Sequence, residues 1–349
     1  MNNNELLNEN AWRFGDLAQV PPNGFTVMST FACGGGSSMG YKRAGFDVIA
    51  ACEIDEKVAN HYKINSNPRY FFLCPIKKLM NEDLPQELFN LDILDGSPPC
   101  STFSMAGKRE QDWGKVRKFK EGQHEQMLSE LFFDFIDLAN YLKPEVIVGE
   151  NVTGLLAGNG KGYVKKIMHD LREIGYTPQL FVINSAGCGV PQNRRRVFFC
   201  AVQSHYKLPP LILVPEHRHV TVGEALSDLQ VLTDDEIVET RPSKSDLKYW
   251  PLTKQGGSYA EAANGSFFNH RRLHRNRPAP TLTANHAAFM HYSENRKLTF
   301  REYKRLSSFP VDYYATNPSI GKYMVGMSVP PKMTEFIARE ICNQWLKNI

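Results

Sequence analysis

The chain has 349 residues, of which 42% are hydrophobic and 22% are charged, and this is enough for one large α/β domain with a smaller one appended. It contains no apolar run long enough to span a bilayer, and its first residues lack the basic and apolar regions of a signal peptide, so we expect a globular protein inside the cell without membrane contact. The seven cysteines have no paired CxxC spacing, which argues against a disulfide framework and against a metal site.

Strands and helices are predicted to alternate along the first half of the chain. Apolar runs predict strands at 25–31, 47–52, 70–73, 91–94 and 145–148. Helical segments are predicted at 37–44, 55–64 and 125–142. This alternation is typical of a parallel sheet covered by helices on both faces, and we therefore predict an α/β fold.

Four chemically distinct residues fall at the ends of these strands: Phe31, Glu53, Cys100 and Glu150. In open parallel sheets, ligands bind beyond the carboxyl ends of the strands. We therefore expect these four side chains to meet in one crevice.

Cys100 follows a strand through the turn Gly96-Ser97-Pro98-Pro99. Two prolines restrict the backbone and remove two N–H donors, so such a turn is costly unless its geometry is needed. A cysteine that only fills a core needs no such turn. The placement favours a nucleophile, although on its own it is also compatible with a packed thiol.

A glycine turn at Gly34, Gly35 and Gly36 joins the first strand to its helix, and Glu53 ends the second strand. Such a turn exposes backbone donors and the positive end of a helix dipole, while the acid can accept from ribose hydroxyls. Both NAD and S-adenosylmethionine need this arrangement. The glycines do not form a clean GxGxxG motif, and a dehydrogenase has no use for Cys100, so we consider a dehydrogenase the rival interpretation.

The net charge of +4 is too small to indicate a polyanionic partner, so the argument depends on where the basic residues lie. One basic run, Arg194-Arg195-Arg196, leads into the apolar strand 197–202. If that strand begins at Gln192, its two-residue period places Gln192, Arg194 and Arg196 on one face. An arginine forced inward there needs a carboxylate or a ligand oxygen.

The second half of the chain is predicted to be less regular. Residues 204–289 are rich in polar residues, prolines and histidines, with weak periodicity. Regular structure is predicted to return with a helix over 300–307. A last helix opens with Pro330-Pro331 and carries apolar residues at helical spacing, and we expect it to pack on the first domain.

The motifs, taken together and in order, resemble those of the C5 cytosine-specific, S-adenosylmethionine-dependent DNA methyltransferases. The resemblance extends from residue 31 to residue 331 and leaves only the segment between the arginine run and residue 301 without a signature. It is carried by the Phe31 glycine loop, Glu53-Ile54-Asp55, Pro98-Pro99-Cys100, Glu150-Asn151-Val152, Gln192-x-Arg194-x-Arg196, Arg301-Glu302 with Arg305-Leu306, and Gly326 to Pro331.

The resemblance implies a Rossmann-like class I methyltransferase domain with a mixed, mostly parallel sheet, and a smaller irregular target-recognition domain. It assigns residues 1–203, completed by 316–349, to catalysis and residues 204–315 to target recognition and a hinge. It also implies that Cys100 adds to carbon 6 of an extruded cytosine. Glu150 would hold the ring nitrogen and amino group, Arg196 the carbonyl oxygen, and Arg194 would brace the same catalytic site.

Ligand contacts also follow from the resemblance. S-adenosylmethionine, converted to S-adenosylhomocysteine, would be lined by Phe31, Gly34, Gly35, Gly36, Glu53, Ile54, Ile76, Pro99 and Ser328. Double-stranded DNA would be contacted by Ser104, Lys108, Arg109, Lys115, Arg117, Arg271, Arg272 and Arg275, most of them through phosphates. The segment 105–123 combines glycines with basic residues and would form a mobile cover. We expect a monomer without metal, and a cognate restriction endonuclease as a candidate partner.

Five residues depart from the family pattern: Cys33 replaces a glycine, Cys74-Pro75 a Gly-Asp pair, Ser101 a glutamine and Met327 an asparagine. These changes concern cofactor affinity and loop conformation more than the chemistry, so we expect an active enzyme. Two alternatives stay open. One is a transfer RNA methyltransferase of the same fold, whose Cys-Phe-Thr signature does not occur here. The other is a catalytically silent DNA-binding protein, which the presence of Cys100, Glu150 and Arg196 makes the weaker alternative.

Overall fold

The computed structural model describes residues 11–99, 130–158, 160–229, 231–267, 269–285 and 288–349, together with the backbone of 116–117 and 126–127. The chain forms two compact units. The sheet unit consists of the described residues within 20–183, 195–215 and 334–349. The insert unit consists of 11–19, 184–194 and the described residues within 216–333. These boundaries differ from the predicted divisions after 203 and after 315, so the functional assignment of each domain stays a prediction.

The sheet unit is built on seven strands. They are β1 (Thr26–Thr30), β2 (Asp47–Glu53), β3 (Tyr70–Leu73), β4 (Ile93–Gly96), β7 (Val146–Val152), β8 (Tyr176–Asn184) and β10 (Arg195–Gln203). Two short strands, β5 (Val116–Arg117) and β6 (Gln126–Met127), pair with each other. The order across the large sheet is β3-β2-β1-β4-β7-β10-β8. Strands β3, β2, β1, β4 and β7 are parallel, and β10 runs antiparallel to β7. The predicted mixed, mostly parallel α/β sheet is confirmed.

Helices α1 (Gly36–Arg43), α2 (Glu56–Ser66), α3 (Leu131–Leu142) and α4 (Gly160–Glu173) follow strands of this sheet. Helix α3 begins at Leu131, later than the predicted residue 125, because 126–127 belong to β6. Gly96 and Gly149 are partners in the β4–β7 ladder. A Cβ atom there would lie 2.5 Å from the Phe135 ring or 2.7 Å from the Phe132 ring, so both glycines allow α3 to pack closely on the sheet.

The last helix, α10 (Pro331–Gln344), follows the predicted pattern, since Met333, Ile337 and Ile341 are all buried. Trp345 just beyond it is also buried, and its indole N–H donates to the carbonyl oxygen of Pro209 at 3.0 Å. In the described part of the chain, no helix is both long and apolar enough to cross a membrane.

The insert unit consists of short elements, as the weak periodicity predicts. Its helices are α5 (Val222–Ala225), α6 (Asp234–Glu239), α7 (Lys244–Tyr249), α8 (Phe300–Leu306) and α9 (Pro318–Met327). Strand β9 (Gln192–Asn193) pairs with β12 (Ala279–Pro280), and β11 (Arg271–Arg272) pairs with β13 (Phe289–Met290). Helices this short are marginal on their own, so side chains must stabilise their ends. Capping boxes do so in α5 to α8, as between Thr299 and Glu302.

Candidate active site

The carboxyl ends of four neighbouring parallel strands form one edge of the sheet unit. Phe31 directly follows β1, Glu53 is the last residue of β2, and Glu150 lies near the end of β7. Pro98 and Pro99 follow β4 between them. The structure therefore brings these positions to one edge, as the strand pattern predicts. Cys100 comes directly after Pro99 but lies outside the described residues, as do Ser101, Ser104, Lys108, Arg109 and Lys115. For Arg117, only the backbone is described.

Glu150 and Arg196 form a buried ion pair at this edge. Oε1 of Glu150 lies 2.8 Å from Nε of Arg196, and the two side chains are 11% and 14% exposed. The antiparallel register of β7 and β10 places Phe198 opposite Glu150 and Val152 opposite Arg196. The two charged residues are thus diagonal cross-strand neighbours, which is within reach of long side chains.

The electrostatics of the pair leave acceptor capacity at Glu150. Burial lowers the pKa of Arg196, and the Glu150 carboxylate opposes that shift. Oε1 of Glu150 is buried and contacts the Arg196 guanidinium at 2.8 Å. Because a carboxylate has about four acceptor positions, Glu150 can also accept from a ligand donor.

Asn151 joins the two strand ends that carry the predicted chemistry. Its side-chain amide donates to the carbonyl oxygen of Pro98 at 3.2 Å, and its Oδ1 accepts from the backbone N–H of Val152 at 2.9 Å. The side chain is nearly fully buried. It therefore fixes the proline turn relative to the strand of Glu150. Asn151 belongs to the motif Glu150-Asn151-Val152, but the sequence predicts no role for it. The signal for this contact is an amide side chain on the strand next to a proline turn that lacks backbone donors.

Glu53 organises the loop between β1 and α1. Oε2 accepts from the backbone N–H of Cys33 at 2.8 Å, and Oε1 accepts from the N–H groups of Ile54 at 2.8 Å and Asp55 at 3.0 Å. Burial raises the pKa of Glu53, and these three donors oppose the shift. Since a carboxylate offers about four acceptor positions, Glu53 retains capacity for a hydroxyl donor.

The loop itself has an unusual backbone. Phe31, Cys33 and Gly35 have φ values of 52°, 45° and 77°. Glycine adopts this left-handed region at low cost, whereas Cys33 is strained there, which explains why a glycine is the ordinary residue at this position. Gly35 is the N-cap of α1 and has no side chain that could cap the first N–H groups of this helix.

The remaining predicted cofactor residues divide between the units. In the sheet unit, Gly34 is buried in the loop and Gly36 is buried at the start of α1, while Ile54 after β2 and Pro99 are half-buried. Ile76 is buried and begins a short 3-10 turn directly after Cys74-Pro75. In the insert unit, Ser328 is buried and its Oγ donates to the carbonyl oxygen of Met324 at 2.8 Å.

Arg194 does not continue the strand of Arg196. Gln192 and Asn193 form β9 in the insert unit, whereas Arg196 belongs to β10 in the sheet unit, so the interpretation of the run as one strand is wrong. The guanidinium of Arg194 is buried and donates to three carbonyl oxygens of the insert unit. These are Leu282 at 3.1 Å, Gly326 at 2.9 Å and Met327 at 3.3 Å. In this structure Arg194 braces the segment before Ser328.

The predicted DNA-binding arginines differ in their surroundings. Arg272 donates to the carbonyl oxygens of Tyr292 at 2.9 Å and Thr253 at 3.0 Å. Its guanidinium also lies 3.8 Å from the ring centre of Trp250. Arg275 is exposed and Arg271 is half-buried. Arg272 is thus held inside the insert unit, and Arg275 is available at its surface.

Family membership follows from a match along nearly the whole chain. The family model of the C-5 cytosine-specific DNA methylases matches residues 25–343. The chain belongs to this family. The predicted family assignment is therefore confirmed. Within the described residues of the chain, no group of three or more His, Cys, Asp or Glu side chains is arranged to hold a metal ion.

Relatives and solved structures agree with the family. The chain is 27% identical over 334 residues to the type II methyltransferase M1.HphI of Haemophilus parahaemolyticus, covering 90% of this chain and 86% of the relative. It is 28% identical over 378 residues to M.DdeI of Desulfomicrobium norvegicum, covering 90% and 88%.

Among solved structures, a prophage-encoded DNA modification methyltransferase of E. coli matches with a TM-score of 0.71 at 22% identity, covering 92% of this chain and 99% of that chain. DNMT2 of Spodoptera frugiperda matches with a TM-score of 0.65 at 17% identity, covering 91% and 99%. At these identities the structures show that the fold is shared.

Proposed function

We propose that this protein transfers a methyl group from S-adenosylmethionine to carbon 5 of cytosine in double-stranded DNA. The observation that carries the proposal is the buried Glu150–Arg196 pair at the carboxyl edge of the sheet, next to the proline turn that leads to Cys100. An acid and a guanidinium in that position match the hydrogen-bonding edge of a pyrimidine ring.

The residue types suit the chemistry. Carbon 5 of cytosine is a poor nucleophile, so electrons must enter the ring first. The thiolate of Cys100 forms a bond to carbon 6, and the electron pair of the 5,6 double bond becomes available at carbon 5. Glu150 supports a proton at ring N3 and accepts from the amino group, and Arg196 donates to the carbonyl oxygen. After methylation, a base or water removes the carbon 5 proton and the Cys100 sulfur leaves.

The cofactor residues of the sheet unit fit S-adenosylmethionine. When bound, this cofactor supplies an electrophilic methyl group. The uncapped N–H groups at the start of α1 suit its carboxylate, and the remaining acceptor capacity of Glu53 suits its ribose hydroxyls. Ile54 and Ile76 offer apolar surface for the adenine ring. The fit therefore depends on the buried carboxylate of Glu53 and on the donors of the loop.

DNA as the substrate requires the target base to leave the helix, because carbon 6 is inaccessible to a thiolate inside a stacked duplex. We infer that Arg271 and Arg275 of the insert unit contribute phosphate contacts. The relatives are named type II methyltransferases, and we therefore include a partner restriction endonuclease in the proposal.

The test is methyl transfer from labelled S-adenosylmethionine to duplex DNA, with transfer RNA as the competing substrate and Cys100→Ala as the control. We expect labelled DNA with the wild type and none with the variant. DNA containing 5-fluorocytosine at the target should form a stable adduct, because the fluorine cannot leave as a proton does. A Cys100→Ala variant as active as the wild type would refute the covalent route, and labelling of transfer RNA alone would refute DNA as the substrate.

A further inference from the structure

Asp95 is a buried carboxyl group in the centre of the sheet for which the chemistry above has no use. It lies in β4 with 3% of its surface exposed, between Ser29 of β1 and Val148 of β7 in the ladder. Oδ2 accepts from the Ser29 hydroxyl at 3.1 Å, and Oδ1 accepts from the Tyr41 hydroxyl at 3.2 Å. Neither donor carries a charge, and no Lys, Arg or His among the described residues pairs with Asp95.

The sheet register places Asp95 behind Glu150. Val148 is the partner of Asp95 on β7, and Glu150 comes two residues later, so both project from the same face as Asp95. Glu150 lies one step nearer the carboxyl edge. In a low-dielectric interior, the charges of two carboxyl groups in such diagonal positions act on each other, and the Glu150 charge is one of the causes that raise the pKa of Asp95.

Asp95 changes its charge in the neutral range. Burial raises the pKa of Asp95 to about 7, and the Glu150 charge contributes to the rise, while Ser29 and Tyr41 oppose it. Within the part of the chain that the structure describes, the other titratable groups that interact with Asp95 are Tyr41 of α1, Tyr62 of α2 and Cys200 of β10. Burial raises the pKa of each, so these three stay neutral when Asp95 titrates. Arg196, the cation on the strand next to β7, is paired with Glu150.

We propose that Asp95 is a positioning residue for methyl transfer, whose negative charge behind Glu150 stabilises the proton that Glu150 supports on the cytosine ring. The inference rests on the proposed function, because it concerns the ring-activation step. A ring protonated at N3 is positively charged, and a second carboxylate behind Glu150 lowers the free energy of that state. Ionisation of Asp95 therefore accelerates thiolate addition.

The first experiment measures the single-turnover rate of methyl transfer against pH for the wild type and Asp95→Asn. Other ionisations affect both proteins, so the ratio of the wild-type rate to the variant rate isolates the effect of Asp95 ionisation. We expect the ratio to rise from about one near pH 6 to about tenfold near pH 8. A ratio that does not change with pH would overturn the inference.

Two further variants protect this test against a purely structural effect. Tyr41→Phe removes a hydrogen-bond donor that favours the ionised form of Asp95. The rise of the methyl-transfer rate with pH should therefore occur at higher pH in this variant than in the wild type. Asp92→Asn is the matched control: Asp92 lies just before β4 and accepts from the N–H of Thr26 at 2.7 Å and from its hydroxyl at 2.9 Å. It should keep the pH dependence of the wild type. If Asp92→Asn changed the pH dependence of the rate as much as Asp95→Asn does, the inference would be overturned.

The second experiment needs no activity. Infrared titration with isotope-labelled aspartate follows ionisation of Asp95 in the wild type and in Glu150→Gln, with Asp95→Asn assigning the band. Loss of the Glu150 charge should lower the midpoint of Asp95, and an unchanged midpoint would overturn the inference. A wild type that transfers no methyl group refutes the proposed function, whereas the infrared midpoint still decides whether the two carboxyls interact.

Discussion

The side-chain amide of Asn151 donates a hydrogen bond to the carbonyl oxygen of Pro98 across 3.2 Å, which ties the turn before Cys100 to the strand that carries Glu150. Prolines cannot donate backbone hydrogen bonds, so the turn has few means of fixing itself. One buried amide therefore fixes the turn that precedes the expected nucleophile relative to the strand of the acid.

Replacing Asn151 by Ala should slow methyl transfer by a factor of roughly ten to a hundred, because small displacements of a nucleophile are costly. The Michaelis constant for S-adenosylmethionine should change little. Steady-state kinetics at saturating DNA separate the two quantities. An effect on the Michaelis constant alone would show that Asn151 serves the cofactor loop instead.

The Glu150–Arg196 pair should show strong non-additivity in a double-mutant cycle of stability. Arg196→Met leaves a buried carboxylate without its cation and should cost about 3–5 kcal/mol of unfolding free energy. Glu150→Gln combined with Arg196→Met should cost less than the sum of the two single changes, because neither charge is then left alone. Denaturant unfolding measures all four proteins, and additive costs would contradict the ion pair.

Arg194→Met should destabilise the protein by about 3 kcal/mol, because three buried carbonyl oxygens lose their donor. It should also raise the Michaelis constant for S-adenosylmethionine if Ser328 lines the cofactor, since Arg194 holds Gly326 and Met327 just before it. Thermal unfolding and cofactor titration test the two effects. The neighbouring Arg195 is exposed, and Arg195→Met should change neither quantity.

Arg272 and Arg275 should respond differently when each is changed to Ala. Arg272→Ala removes two hydrogen bonds and the contact with Trp250, so it should cost about 2–3 kcal/mol of stability. Arg275→Ala should leave stability unchanged and lower the salt dependence of DNA binding by about one released ion. Binding measured at several salt concentrations decides the matter, and a reduced slope for Arg272→Ala would place its guanidinium on DNA.

Stability should fall as pH rises between about 4 and about 7, in part because of Asp95. Its pKa is raised from 3.8 to about 7 in the folded state, so the unfolded chain releases the proton first. The stabilisation is fully present below pH 4 and is lost through pH 7, with an upper limit of about 4 kcal/mol. Asp95→Asn should flatten this part of the curve. Melting temperatures of both proteins between pH 4 and pH 7 test this, and a variant curve as steep as that of the wild type would contradict the prediction.

Much of the sheet was predictable from local sequence. Buried strands consist of short apolar runs, and a glycine turn or a carboxylate at the end of such a run signals the edge where ligands bind. Phe31, Glu53 and Glu150 could be assigned to one edge for that reason. The order of the motifs led to the family, which the match over residues 25–343 confirms.

Other features were decided by contacts between residues far apart in sequence. The separation of Arg194 from Arg196 depends on β9 pairing with Ala279–Pro280, and no local period reports such pairing. Likewise, Arg272 looks like its basic neighbours in sequence, but the carbonyl groups of Thr253 and Tyr292 hold it inside the insert unit.

By itself, then, the sequence determined which residue types stand at the strand ends, because hydrophobic periodicity and turn chemistry are local properties. Only the tertiary structure decided which of those groups meet and how each is charged. Asp95 shows the reason. Strand register places it behind Glu150, and packing of the sheet buries it. Burial in turn controls the pKa of Asp95, so its charge is a property of the folded sheet.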